Sequence, residues 1–129
     1  MEDKMNLAPE VKADWENKLQ QAQMIDLTDS IVEHVKGDYW DWSGQTRGRY
    51  FFTKEKLVFV GGLAGSTNFA VKYSNIKEAK LKLIRFFLPT GILVIADDPE
   101  SGKQKKYVLS LMKRKEWLAL IREKAGLSA

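Results

Sequence analysis

The side chains that could carry out catalysis or hold a metal are few in this sequence. His34 is its one histidine and cysteine is absent, which excludes a His–Cys metal cluster and a Cys–His nucleophile pair. Asp97, Asp98 and Glu100 bring three carboxylates together, but their spacing does not match a calcium-binding EF-hand loop and suits a solvated turn. We therefore expect no enzyme activity, no metal and no cofactor.

A second group of side chains could act by contacting a surface. Two adjacent phenylalanines precede the turn residues Pro89-Thr90-Gly91, so at least one ring is expected to point away from the core. The candidate contact residues are Lys82, Arg85, Phe86, Phe87 and Leu88. Three uses stay open: insertion into a lipid interface with the cations at the headgroups, burial against a protein partner or a second copy, and capping of the chain's own core beneath an N-terminal helix. Residues 85–88 are named the aromatic turn.

Composition and charge limit the class of protein. The 129 residues are 44% hydrophobic, which suits one domain with one core. Residues 1–43 carry a charge balance of −6 and residues 44–129 one of +10, within a net charge of +4. A basic body with an acidic N-terminal arm favours anionic partners. Without cysteine, a targeting segment or a transmembrane segment, we expect a cytoplasmic protein, with peripheral membrane association as an option.

The elements that must position these residues are short strands followed by a helix. Ala79, Leu81 and Leu83 alternate with lysines, which is the pattern of a half-buried strand. Strands are predicted over residues 31–36 (with an extension through 40), 46–53, 56–60, 69–73, 76–85, 91–96 and 106–111. A C-terminal helix is predicted to bring Trp117 and Ile121 into the core and to stop at Gly126. The fold class is mainly β: a seven-stranded bent antiparallel sheet or partly open barrel, capped by that helix.

An additional helix is predicted near the N-terminus. Apolar residues recur at steps of three and four from Leu7 to Ala22, and Pro9 is a helix-start residue, so the helix should span about 9–23. Its polar face is acidic, which disfavours a helix lying on anionic lipid and favours docking on its own domain. We divide the chain into an acidic helical arm, 1–28, and a domain, 29–126. The glycine-rich stretch 61–66 is read as a flexible loop, because the strand after it does not suit a phosphate-binding loop.

Several segments together resemble the GRAM domains of the pleckstrin-homology-like (PH-like) superfamily. They are residues 50–59 (YFFTKEKLVF), 73–77 (YSNIK), 86–92 (FFLPTGI), 106–111 (KYVLSL) and 113–116 (KRKE). The resemblance covers roughly residues 31–124. It implies a PH-like fold that binds ligands rather than catalysing reactions, often anionic phospholipids and also proteins.

The resemblance also implies a candidate anionic-ligand site. In lipid-binding pleckstrin-homology domains a lysine ending the first strand and a basic-x-basic triplet in the second converge on phosphate groups near the connecting loop. Lys36, Arg47 and Arg49 are similar to that arrangement, and arginine suits phosphate because its planar fork donates several hydrogen bonds. Asp38 and Asp41 are nearby repulsive charges, and Phe51 falls on the same strand face as the arginines. The alternative is that the arginines only decorate an exposed strand.

We therefore expect a non-catalytic binding or adaptor module that recognises an anionic lipid headgroup at a membrane surface. The alternative is a protein-interaction or self-associating module that uses Phe86 and Phe87 or the N-terminal helix. Nucleic acid is not an expected partner, because the sequence has no ribonucleoprotein motif and no basic recognition helix.

Overall fold

The computed structural model describes residues 9–62 and 67–127. These residues form α1 (Pro9–Gln21), β1 (Ile31–Asp41), β2 (Gly44–Thr53), β3 (Lys56–Gly61), β4 (Phe69–Lys72), a 3₁₀ turn (Tyr73–Asn75), β5 (Ile76–Ile84), β6 (Leu88–Asp97), β7 (Gln104–Ser110) and α2 (Arg114–Ala125). The predicted order of helix, seven strands and helix is confirmed. The start of the acidic arm (1–8) and most of the glycine-rich stretch (63–66) lie outside the described residues.

The seven strands form one open antiparallel sheet. Its order is β4-β3-β2-β1-β7-β6-β5, so two meanders, β1–β4 and β5–β7, are joined where β1 pairs with β7. That junction is short and runs from Asp38 opposite Ser110 to Trp40 opposite Val108. Beyond Asp38 the two strands separate. The fold class predicted from the sequence is therefore confirmed, and the separation leaves a space beside β1.

The main core lies on the inner face of the bent sheet. Tyr50 and Phe52 alternate with residues of the opposite face along β2 and are fully buried in this core. The helix α2 closes it, since the Trp117 ring stacks on Phe52 with 5.1 Å between centroids and Ile121 is also fully buried. The predicted roles of Trp117 and Ile121 are confirmed. Burying such large rings is the dominant stabilising contribution.

A second, smaller cluster covers part of the outer face. The Trp15 ring of α1 packs on Phe51 of β2 with 4.8 Å between centroids, and Leu19 is buried in the same cluster. Glu16 Oε2 accepts a hydrogen bond from the backbone N–H of Ile31 at 2.8 Å. The helix α1 thus docks on the sheet, as its acidic polar face predicted. The division at residue 28 stays a prediction.

Several element boundaries differ by one to three residues from those predicted, and β6, for example, begins at Leu88 rather than at residue 91. The helix α1 ends at Gln21 because Gln23 adopts a left-handed conformation (φ 61°), after which the backbone N–H of Met24 donates to Leu19 O at 2.9 Å. The strand β1 continues through Gly37 to Asp41. Gly37 does not break it, because this glycine lies where a Cβ would overlap the side chain of Leu111. Gly37 is thus required for close packing between β1 and Leu111. The sequence pattern alone does not distinguish such a glycine from one that is required for a turn.

Candidate functional site

Lys36, Arg47 and Arg49 lie in the body of the β1–β2 hairpin, away from its turn. Val35 pairs with Tyr50 on the inner face, so the next pair, Lys36 and Arg49, projects from the outer face. Asp38 lies opposite Arg47 on that same face. The three predicted cations therefore form a row on the outside of the sheet rather than a cluster at the β1–β2 loop.

Arg49 differs from the other two cations in its surroundings. It is half-buried, and its guanidinium Nη1 lies 2.6 Å from His34 Nδ1. Arginine can only donate, so Nδ1 is the acceptor in this contact. The His34 ring in turn stacks on Phe51, with 6.4 Å between centroids, beside α1. Through His34, Arg49 is thus in contact with the cluster that α1 covers. Phe51 can lie on the same strand face as the charged Arg49 because the Trp15 ring covers the phenyl ring of Phe51.

Lys36 and Arg47 are the exposed members of the row. Among the described residues, neither side chain has a hydrogen-bond or ion-pair partner. Asp38 accepts a short hydrogen bond from Gln45 Nε2, which engages part of the one carboxylate beside Arg47. Two uncompensated cations and one partly engaged carboxylate give this face a local excess of positive charge.

The aromatic turn is a tight turn with both central residues in the left-handed region. The backbone N–H of Phe87 donates to Ile84 O at 3.2 Å, and φ is 54° at Arg85 and 73° at Phe86. This is a type I′ turn, which normally carries Asn-Gly. Phe86 is 95% exposed and Phe87 71% exposed. The alternative in which these rings cap the core beneath the N-terminal helix is therefore wrong, because α1 packs on Phe51 instead.

The aromatic turn bends over the outer face of the sheet. The β5–β6 register shifts between Lys82 and Ile84, and Ile84 is buried across Gly91, where a Cβ would come within 2.8 Å of Ile84 Cγ1. Arg85 Cζ lies 5.2 Å from the centroid of the Trp40 ring on β1. This cation–π contact ties the turn to β1. The missing side chain at Gly91 provides the room for this bend.

A groove of about 560 Å³ lies between the aromatic turn and the β1–β2 hairpin, on the outer face where β1 and β7 separate. Lys36, Asp38 and Arg47 line one side. Leu88, Trp40, Met112, Thr90 and Ser110 are among its remaining lining residues. The groove thus has a charged side and a largely apolar side, and Met112 is 67% exposed.

A second depression of about 410 Å³ lies on the other side of the Trp40–Arg85 contact. Its lining includes Trp40, Trp42, Lys82, Arg85 and Lys106. Trp42 is 96% exposed at the β1–β2 turn. The outer face therefore carries exposed aromatic rings interleaved with cations.

Sequence reasoning missed three residues of this face: Trp40, Trp42 and Met112. Trp42 had a local signal, since it stands between Asp41 and Ser43-Gly44 in turn-forming sequence. Trp40 and Met112 had none, because an aromatic in a strand and a methionine after a strand are usual core residues.

The β1–β2 and β6–β7 turns each carry a carboxylate whose pKa is lowered, so that both stay charged. The Ser43 hydroxyl donates to Asp41 Oδ1 at 2.6 Å and lowers the pKa of that carboxyl. In the β6–β7 turn the hydroxyl of Ser101 donates to Asp98 Oδ2 at 2.9 Å and lowers its pKa likewise. Asp98 also pairs with Lys105 at 3.3 Å. These charges disfavour phosphate at the loops and leave the outer face as the better anion site.

Neither a metal cluster nor a spanning helix occurs in the part of the chain that the structure describes. No three His, Cys, Asp or Glu side chains come together there in a way that could hold a metal ion. No helix within residues 9–62 and 67–127 is long and apolar enough to cross a bilayer.

Comparison with solved structures shows which fold this is. The structure is similar to the C-terminal domain of an unknown protein from Leishmania infantum, with a TM-score of 0.67 at 13% identity over 89% of this chain and 97% of that one. It is also similar to the DH/PH domains of p115-RhoGEF (TM-score 0.59, 14% identity) and to those of PDZ-RhoGEF in complex with RhoA (TM-score 0.59, 12% identity). These matches cover 87% and 92% of this chain but 35% and 33% of the RhoGEF chains.

The sequence comparisons are negative: no protein-family model and no curated protein sequence matches this chain. At such low identity the structural neighbours show the fold alone, and the fold is PH-like. Membership of the GRAM family stays a prediction.

Proposed function

We propose, from a PH-like fold with an exposed aromatic turn, that this chain is a non-catalytic binding module that docks on anionic phospholipid at the cytoplasmic surface of a membrane. The aromatic turn enters the lipid interface and the surrounding cations meet the headgroups. The candidate contact residues are those predicted from the sequence: Lys82, Arg85, Phe86, Phe87 and Leu88. Lys36 and Arg47 add charge on the same outer face, whereas the guanidinium of Arg49 is engaged with His34.

The observation that carries the proposal is the conformation of the aromatic turn. A non-glycine residue in the left-handed region costs about 1–2 kcal/mol, and Arg85 and Phe86 both adopt it. The result is a phenyl ring that is almost fully exposed to water. Burying a phenylalanine side chain away from water is favourable by about 1.5–3 kcal/mol. The Phe86 ring would gain this free energy by entering a lipid interface, and it does not gain it in solvent. A strained turn that exposes an aromatic ring is explained by a contact outside the chain.

The charges around the turn support an anionic surface. Lys82 flanks the turn, and Lys113 and Lys115 are exposed at the start of α2. A lysine or arginine near an anionic leaflet contributes about 1 kcal/mol, and this contribution falls with salt. Several such cations with two exposed rings suffice for reversible peripheral binding.

Vesicle co-sedimentation tests the proposal. Wild-type protein should bind phosphatidylcholine vesicles that contain phosphatidylserine and bind weakly to phosphatidylcholine alone. Phe86→Ser should weaken binding about 10- to 100-fold, as expected for a loss of about 1.5–3 kcal/mol of burial. Leu27→Ser is the matched control, because Leu27 is an 83% exposed apolar residue between α1 and β1. Equal binding by wild type and Phe86→Ser, or no binding to the acidic vesicles, contradicts the proposal.

A second function, contact with a protein partner or a second copy, draws on the depression at Trp40 and Trp42. Tryptophan and arginine side chains in a concave site are typical of protein-binding hot spots, and Arg85 supplies the arginine. Light scattering at high protein concentration tests self-association. If Trp42→Ser leaves vesicle binding unchanged but abolishes a dimer, the depression serves protein contact and the aromatic turn serves lipid.

A further inference from the structure

An apolar strip lies on the outer face of the second meander, β5–β7. Leu93, Val108 and Trp40 lie side by side in register on β6, β7 and β1, and Ile95 lies two residues beyond Leu93 on the same face. These four residues are named the outer strip. All are partly exposed, and none is among the described members of the two core clusters. We propose that the outer strip is the docking site for an acidic amphipathic helix of a partner protein, a partner class for the protein contact considered above that does not depend on membrane docking.

The first meander shows how this sheet accepts a helix. Phe51 of β2 and Val58 of β3 also lie on the outer face, and both are fully buried because α1 and the residues after it cover them. The other described helix, α2, packs against the inner core through Trp117 and Ile121. Like β3, β6 is apolar on both faces, which is typical of a strand that is covered on both sides. Within its described residues the chain supplies that cover for β3 but not for β6.

The charges around the outer strip favour an acidic helix. The bordering cations are Lys80, Lys82, Arg85 and Lys106, and the bordering carboxylates are Glu78 and Asp41. Four cations against two carboxylates leave a balance of +2. In the part of the chain that the structure describes, the side chains of Lys82 and Lys106 have no hydrogen-bond or ion-pair partner. Glutamate and aspartate beside the apolar stripe of a partner helix would supply the missing counter-charges, whereas a basic helix would be repelled.

The strands beneath the outer strip suit a helix better than an extended peptide. β6, β7 and β1 each pair with a strand on both sides, so they have no free edge to which a peptide strand could add. A helix satisfies its own backbone groups and needs only a complementary side-chain surface. From β5 to β1 is about 14 Å, at about 4.8 Å per strand, which corresponds to about ten helical residues. At the β1 end the Trp40 ring is held by Arg85 at 5.2 Å and offers a preformed aromatic anchor.

Selection from a display library of helix-forming peptides tests the inference, with the full chain as the immobilised target. The peptides are about 14 residues long, which is enough to cover the outer strip. Selected peptides should carry apolar residues at helical spacing with glutamate or aspartate beside them. For the peptide that binds most tightly, Leu93→Gln should lose about tenfold or more in affinity, because a leucine contact is replaced by a polar side chain. Leu81→Gln is the matched control, since Leu81 is 38% exposed on β5 but lies on the inner face beside Ile92.

A charge reversal tests the acidic character of the partner. Lys106→Glu should weaken peptide binding about tenfold at low salt, and the difference from wild type should shrink as salt is added. Lys72→Glu makes the same change on the exposed side of β4, away from the outer strip, and should bind as wild type does. Backbone amide chemical shifts of residues 92–96 and 106–110 should change when the peptide is added, and those of residues 56–60 should not. Circular dichroism melting of each variant confirms that it folds.

Several outcomes would overturn the inference. Selected peptides that are proline-rich, basic or extended contradict a site for an acidic helix, and so does a selection that enriches none. Equal binding of the selected peptide to wild type and to Leu93→Gln places the contact elsewhere. A dimer of wild type that Leu93→Gln dissociates would assign the outer strip to a second copy of the chain. Loss of acidic-vesicle binding in Leu93→Gln, with no peptide bound, would make the outer strip part of the membrane contact.

The same variants distinguish this inference from the proposed function. If peptide binding depends on Leu93 and Lys106 while Phe86→Ser leaves vesicle binding unchanged, the helix site stands and the aromatic turn is refuted as the membrane contact. If Phe86→Ser weakens vesicle binding and no helical peptide binds, membrane docking stands and the helix site is refuted.

Discussion

Replacing Phe86 with glycine should stabilise the fold while weakening membrane binding. The residue adopts φ of 73° and is 95% exposed, so the substitution relieves backbone strain and removes no core packing. Relief of the left-handed conformation contributes about 1–2 kcal/mol, and the greater freedom of glycine in the unfolded chain costs about 0.4–1 kcal/mol. The net gain is about 0.5–1 kcal/mol, or about 2–4 °C in Tm for a domain of this size.

Phe87 provides the matched control for this prediction. It stands next to Phe86 and is also exposed, but it does not share the left-handed φ of its neighbour. Phe87→Gly therefore relieves no strain and should lower stability by about 0.5–1 kcal/mol. Urea denaturation measures both variants, and vesicle co-sedimentation should show weaker binding for each. A loss of stability in Phe86→Gly of 1 kcal/mol or more would refute the argument, because Phe86 would then make packing contacts that its exposure excludes.

Three further predictions concern the fold that supports the site. Trp15→Ala should lower the free energy of unfolding by about 2–3 kcal/mol, less than the 3–5 kcal/mol of a fully buried ring, because it removes the contact between α1 and the sheet. Gly91→Ala should cost about 1–3 kcal/mol because the added methyl overlaps both Lys82 O and the Ile84 side chain, and it should alter tryptophan fluorescence as the Arg85–Trp40 contact loosens. Burial raises the pKa of Tyr50 and Tyr73 above the ordinary value of 10.0. The stability that these two buried neutral side chains contribute to the fold is therefore complete below about pH 10, and it is lost as the pH rises toward their pKa values in the folded state. Unfolding free energy should fall there by about 1.4 kcal/mol per pH unit for each tyrosine.

Each of these has a direct check. Trp15→Phe should retain most of the stability that Trp15→Ala loses, and an alanine variant as stable as wild type would contradict docking of α1. Unchanged stability and fluorescence in Gly91→Ala would show that the approach of Lys82 O and Ile84 to this position does not require a glycine. Urea denaturation between pH 8 and 12 follows the tyrosines, and Tyr73→Phe should flatten the alkaline slope even though it loses the bond to Thr53 O. An unchanged slope in that variant would contradict the assignment.

Most of the fold follows from local sequence pattern. The alternation along β5, the turn residues between strands and the spacing of Trp117 and Ile121 predict the strands and the closing helix. The alternation does not predict burial along β5, because Ala79 is buried whereas Leu81 and Leu83 are 38% and 52% exposed. These signals are local because side-chain direction alternates with a period of two in strands and 3.6 in helices. Gly37 lies inside β1 because it packs closely against Leu111, and a local pattern does not distinguish such a glycine from one that a turn needs.

The candidate site was predicted only in part. The sequence indicated the aromatic turn and the cations Lys36 and Arg47, and these residues line or border one groove. It did not indicate that Arg49 is engaged by His34 or that Trp40 receives Arg85. Those contacts join residues that are far apart in the chain, so no spacing rule reports them.

The sequence by itself thus determined the strands, the core role of Trp117 and Ile121, and an aromatic pair of which at least one ring points away from the core, because each depends on periodicity or on the difficulty of burying adjacent rings. Only the tertiary structure decided where that pair points. The left-handed turn at Arg85 and Phe86, the bend over Gly91 and the position of α1 on Phe51 together leave the rings in solvent beside a cationic groove. The physical reason is that exposure depends on which distant element covers a residue, and that is settled by packing between elements rather than within one.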